Sequence, residues 1–261
     1  MNLTSELISK EGTQVVTLTL NRPQAANALS TQLLKELKAH MEKLQNDKDV
    51  RVIILTSAGE KAFCAGADLK ERITMNEEEV KEAVRLIGET IHEVSKLPQP
   101  VICAANGLAL GGGLELALAS DLRVFSEDAL YGLTETSLAI IPGAGGTQRL
   151  PSIVGVGKAK ELIFTAQRIT GKEAQAIGLC EYAVPFEEVE NKANELAAQI
   201  ANNGPIAIQA AKHAIDSGTH LSIEEGLKIE NDAYQKTIRT DDRMEGLKAF
   251  KEKRKPDYQG R

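Results

Sequence analysis

Tryptophan is absent from the 261 residues, and aromatic side chains make up only 3% of them. Proteins that bind single-stranded nucleic acid stack bases on such rings, so that class of partner finds little to hold here. An excess of positive charge is missing as well. Thirty-one Lys and Arg face 37 Asp and Glu, for a formal net charge of −6, the wrong sign for a general polyanion binder. A local basic pocket for one phosphorylated ligand stays open. No apolar run approaches the roughly 18–20 residues that span a bilayer, and the N-terminus lacks a basic start followed by an apolar core. The expected location is the cytoplasm, with no membrane partner. Cys64, Cys103 and Cys180 are an odd, scattered set without a CxxC, and they read as small buried hydrophobes in a reducing compartment. His40, His92, His213 and His220 show no metal-ligand spacing, so no metal site is expected.

What remains is an ordinary globular composition, 42% hydrophobic and 26% charged. Its length fits one large domain or a domain with a small helical appendage. Residues 3–9 and 14–20 are strand-like around a Glu11-Gly12 turn. Ser30 is placed to cap a helix carrying Leu33, Leu34, Leu37, Met41 and Leu44 at helical spacing. Val52 to Leu55 is a continuous apolar run, as in a parallel strand covered on both faces. The stretch from Ser57 to Asp68 reads as a loop of small residues. A long amphipathic segment from about Glu77 to Leu97 precedes further short strands at 101–105, 122–125 and 129–132. Strands that keep returning after helices give an α/β pattern. From Phe186 the chain is helical almost to its end. A division follows, with an α/β core over residues 1–200 and a helical region over 201–261.

The stretch around which the chain is organised is Asn106 to Asp121, NGLALGGGLELALASD. It reads as the end of a buried strand, a loop nearly bare of side chains, and the start of a buried helix holding one acid, Glu115. Gly111, Gly112 and Gly113 let another group approach the backbone, and the first N–H groups of a helix have no intrahelical partner. Such a helix start favours negative charge. Close helix–strand packing alone would also use three glycines, and a structural ion pair would also use one buried acid. Nucleotide-binding readings are weak. Gly155-Val156-Gly157-Lys158 lacks the phosphate-loop spacing, and the Gly111 cluster does not continue as GxGxxG. A second acid, Glu135, lies in YGLTETSLAIIPGAGG. Two acids in apolar, glycine-rich surroundings suit proton transfer, with burial raising at least one pKa. The alternative is that Glu135 caps a helix or pairs with Arg123 or Arg149.

Three ordered motifs resemble the crotonase, or enoyl-CoA hydratase, superfamily: FCAGADL (63–69), NGLALGGGLE (106–115), and Glu135 followed by IPGAGGTQRL (141–150). The likeness runs from about residue 14 through the final FKEKRKPDY. It implies a spiral of ββα repeats with a C-terminal helical trimerisation region, and a homotrimer or a homohexamer built as a dimer of trimers. It implies an acyl-CoA thioester substrate, with CoA as part of the substrate and no separate cofactor. Matched residue by residue, the oxyanion-hole amides fall on Ala67 and Gly112. The carboxylates fall on Glu115, as base for the attacking water, and Glu135, as acid. The Gly143 N–H matches a contact to that water. CoA contacts are implied at Ala65, Asp68, Leu69 and Lys70, with Arg72 nearby. Phe250 and Lys253 match a pair that approaches the adenosine end of CoA held by a neighbouring subunit. Keeping both acids points to enoyl-CoA hydration over isomerisation. In style the motifs are most similar to the branch containing the AU-rich-RNA-binding methylglutaconyl-CoA hydratase. The lysine-rich helix tied to RNA in that branch is matched here by a charge-balanced segment at about 30–47.

Overall fold

The computed structural model describes residues 5–12 and 14–261. The first two residues of the strand expected over 3–9 lie outside them. Among the described residues there are ten strands: β1 (Leu7–Glu11), β2 (Val15–Leu20), β3 (Val52–Ser57), β4 (Ala62–Cys64), β5 (Val101–Ala105), β6 (Leu108–Leu110), β7 (Leu122–Ser126), β8 (Leu130–Gly132), β9 (Ile169–Thr170) and β10 (Tyr182–Val184). They form two sheets, one in the order β1-β2-β3-β5-β7-β10 and one in the order β4-β6-β8-β9. β1 and β2 make the antiparallel hairpin, and the larger sheet is parallel from β2 onward. Each consecutive pair (β3 and β4, β5 and β6, β7 and β8) gives one strand to each sheet before the next helix begins. This is the ββα spiral.

The helices are α1 (Thr31–Leu44), α2 (Leu69–Arg72), α3 (Glu77–Lys96), α4 (Gly112–Leu118), α5 (Gly146–Val154), α6 (Val156–Thr165), α7 (Gly171–Ala176), α8 (Val189–Ala201), α9 (Pro205–Gly218), α10 (Ile223–Ile238) and α11 (Asp241–Glu252). Ser30 caps α1 by accepting the Leu33 N–H at 3.0 Å. Asn76 and Glu79 form a reciprocal capping box on α3. Alternation along β3 divides the core. Ile53 and Leu55 face one apolar cluster with α1, α3 and α4, while Val52 and Ile54 face a second with Val189, Ala193 and Leu196 of α8. Burial on both faces is why this strand reads as an unbroken apolar run.

Two stretches read from the sequence as loops contain strands. β4 lies within 57–68, and β6 lies between Asn106 and the three glycines. Three residues are too few to show alternation, and Ala and Gly around them carry no strand signal. Among the described residues no helix is long and apolar enough to cross a membrane.

Candidate active site

Ala67 follows β4 by three residues, and Gly112 opens α4 two residues after β6. The two segments are pressed together. A Cβ added at Gly66 would lie 3.3 Å from the Gly112 nitrogen, and one added at Gly112 would lie 3.8 Å from the Ala67 nitrogen. Gly113 explains the closeness, since a Cβ there would sit 2.0 Å from the Cys64 carbonyl oxygen. Only glycine lets α4 lie this tightly on β4. Leu29 and Ala67 form a parallel bridge in which the Leu29 N–H donates to the Gly66 oxygen and the Asp68 N–H to the Leu29 oxygen. That pattern passes over the Ala67 N–H. The Gly112 N–H heads a helix and has no intrahelical acceptor. Two undedicated amides therefore stand side by side.

Glu115 sits in the first turn of α4, only 2% exposed. Its Oε1 accepts the N–H of Ala144 at 2.7 Å and of Gly146 at 2.8 Å. Burial raises its pKa, opposed by those two amides and by the positive charge of Arg149. Glu135 begins a 3-10 turn, Glu135–Leu138, three residues after β8. It is pushed up to about 7, first by burial, with its own backbone N–H opposing and the nearby Glu115 charge adding. No protein group donates to its buried Oε2. Its Oε1 lies 3.0 Å from where a Gly111 Cβ would be, and Gly111 adopts φ +51°, so this position favours glycine on both counts. Glu115, Glu135, Gly112 and Ala67 are thus gathered in one place. One carboxyl is anchored by donors, and the other is free to hold a proton near neutrality.

The pairing of Glu135 with Arg123 or Arg149 does not occur. Arg123 is bound to Glu181 at 2.6 Å and to the Leu179 and Ser120 carbonyls. Arg149 donates to the Ala144 oxygen at 3.0 Å. Gly143, expected to face the reacting water, is exposed and lines a cleft with Gly88, His92 and Arg149. The amides turned onto Glu115 are its neighbours at 144 and 146, which the sequence does not single out. The glycine-rich 143–146 run was the available signal.

The remaining positions are less uniform. Ala65 donates its N–H to the Ala26 oxygen. Asp68 has its carboxylate engaged within the protein, capping α2 and pairing with Arg22 at 3.0 Å. These contacts hold its pKa down despite burial. Leu69 and Lys70 are exposed beside it. Arg72 is half-buried, joins no ion pair among the described residues, and lines a narrow cleft with Ala67, Leu34, Met75 and Leu86. Phe250 (86% exposed) and Lys253 (φ +53°) lie at the end of α11. Neither side chain is tied to the site by a hydrogen bond or ion pair among the described residues. No group of three or more His, Cys, Asp or Glu able to hold a metal occurs among the described residues.

A two-sheet ββα spiral, with paired amides and acids at the ends of its short strands, defines the crotonase class of protein. The enoyl-CoA hydratase/isomerase family model matches residues 10–261. The chain is 54% identical over 256 residues to YngF of Bacillus subtilis (strain 168), an enoyl-CoA hydratase/isomerase by name, covering 98% of both chains. It is 48% identical to the mitochondrial methylglutaconyl-CoA hydratase of Mus musculus, over 97% of this chain and 82% of that one. The crystal structure of an enoyl-CoA hydratase from Bacillus anthracis superposes with a TM-score of 0.97 at 55% identity, covering 98% of this chain and all of the other. The chain belongs to the enoyl-CoA hydratase/isomerase family.

Proposed function

We propose that the protein adds water reversibly across the 2,3 double bond of a 2-enoyl-CoA thioester. The observation that supports this reading most is the unequal treatment of two converging acids. Glu115 has one oxygen held by two amides, which with the Arg149 charge oppose the rise that burial causes, while Glu135 lacks such donors and keeps a proton up to about pH 7. The thioester oxygen accepts the Ala67 and Gly112 N–H groups, which meet the charge that develops there as the enolate forms. Glu115 takes a proton from water as its oxygen bonds to C3, and Glu135 gives its proton to C2. Transfer of the captured proton back to Glu135 closes the cycle, with the elements of one water added. CoA enters as part of the substrate, and no other cofactor is needed for this redox-neutral step. Loss of crotonyl-CoA absorbance tests the activity. E115Q and E135Q should each lower kcat by about 10²–10⁴ while leaving the circular dichroism spectrum intact. Turnover like wild type in either variant refutes the assigned roles. Conversion of 3-enoyl to 2-enoyl thioesters faster than hydration would favour the isomerase branch instead.

A second reading narrows the acyl group to one with its own carboxylate, as in methylglutaconyl-CoA. The relatives of that name at 48% identity support it, as does the unpaired Arg72 in the cleft shared with Ala67. Comparing kcat/KM for methylglutaconyl-CoA with straight-chain enoyl-CoAs decides it. For assembly we propose a trimer, alone or paired into a hexamer. The C-terminal helices leave Ile223, Leu227, Tyr234, Leu247 and Phe250 exposed, a face suited to a second copy.

A further inference from the structure

Residue Ala144 is held from opposite sides. Its N–H points into Glu115, and its carbonyl oxygen receives Nη1 of Arg149 at 3.0 Å. The 145–146 peptide is also held on both sides, there by the backbone of residue 149. The Gly146 N–H donates to Glu115, and the Gly145 carbonyl accepts the backbone N–H of Arg149 at 2.8 Å. Arg149 therefore holds the loop from outside at two carbonyls, Ala144 through its guanidinium and Gly145 through its backbone N–H, while the amides of Ala144 and Gly146 face the carboxylate. The seat for its guanidinium exists because residue 145 has no side chain. Gly145 adopts φ +105°, and a Cβ there would lie 2.1 Å from Nη1. On its far side the guanidinium is steadied by α3, where Nη2 lies 3.3 Å from both Nδ1 of His92 and the Ser95 hydroxyl.

We propose that Arg149 is a positioning residue for Glu115, acting through the 143–146 loop rather than by touching substrate. This inference rests on the hydratase reading for its kinetic part only. Its electrostatic part concerns Glu115 whatever the reaction. The charges around the pair are few. Glu115 is faced by Arg149 from α5 and by Glu135 from the 3-10 turn. Arg149 is faced by His92, with Lys96 and Glu93 beside it on α3. Removing the guanidinium takes away a positive charge and frees the Ala144 carbonyl, which loosens the loop that presents its amides to the carboxylate, although the backbone N–H of residue 149 still holds Gly145. Both changes favour the protonated acid, so Glu115 loses its proton at higher pH.

The test pairs two readouts on wild type, R149M, R149K and H92Q. One is the 13C NMR titration of the Glu115 carboxyl, assigned by its disappearance in E115Q. The other is the pH dependence of crotonyl-CoA hydration. In R149M the Glu115 titration and the acidic limb of kcat/KM both move to higher pH. There kcat falls by about 10²-fold, the scale of a 1 Å misplacement, while KM stays close to wild type. R149K keeps the charge, so its titration stays near wild type, while loss of the planar guanidinium that joins Ala144 to α3 still lowers kcat by about tenfold. H92Q leaves the limb in place. An unmoved Glu115 titration in R149M overturns the proposal, as does a limb that follows His92. If R149M does not fold, a wild-type kcat in R149K overturns it. A wild type inactive on every enoyl-CoA would sink the hydratase reading instead, while the NMR titration would still judge Arg149.

Discussion

Glu135 is asked to be buried and to stay chemically available, and those demands pull against its usual pKa of 4.5. In the unfolded chain it ionises near that value, whereas in the fold it keeps its proton to about 7. Its contribution to stability is thus complete below about pH 4.5 and is lost as pH rises through 7, because the unfolded state then sheds the proton that the folded state retains. Replacing it with Gln removes that penalty. Thermal melts of E135Q and wild type should nearly coincide at about pH 5, with the variant more stable by about 1–3 kcal/mol at about pH 8. A melting difference that does not grow between those two conditions would contradict the burial argument. At this scale the sequence was informative wherever chemistry lives in side chains. Glu115 and Glu135 stand out as acids among Leu, Ala and Gly. The donors that hold Glu115 do not, because a backbone N–H looks the same at Ala144 as at any other residue. Arg149 was visible only as a cation in search of an acid, and its true partner is a carbonyl.

At the scale of elements, the close approach of α4 to β4 sets the spacing of the two undedicated amides. A methyl group at Gly113 meets a carbonyl oxygen of the neighbouring strand rather than a flexible side chain, so something in the backbone must shift. G113A should cost about 1–3 kcal/mol in urea denaturation and lower kcat together with kcat/KM, since Gly112 moves with its helix. A variant with normal stability and turnover would show that the contact is softer than its 2.0 Å implies. The elements themselves were unevenly legible. α1 follows from apolar periodicity and its Ser30 cap, α3 from its amphipathic pattern, and β3 and β5 from unbroken apolar runs. β4, β6 and β9 are two or three residues long and gain their pairing from strands distant in the chain, so local sequence holds little trace of them.

At the scale of the whole molecule, the last three helices bury few side chains of their own. Among those of α9 to α11, Pro205, Ala210, Ala233, Asp242 and Ala249 are covered, while Ile215, Leu227, Tyr234, Met244 and Leu247 are exposed. If copies of the chain cover that face, L227D combined with L247D should reduce the mass measured by light scattering toward that of one 28.2 kDa chain, with helical content preserved. An unchanged mass would place the contact elsewhere. The spiral has a further consequence. Ala67, Gly112 and Glu135 each lie within three residues of the end of β4, β6 and β8, so successive windings each deliver one tool to the same bench. A change that leaves the glycine contacts between windings intact can retire or replace one tool while the others stay, which lets such a scaffold exchange chemistries one rung at a time.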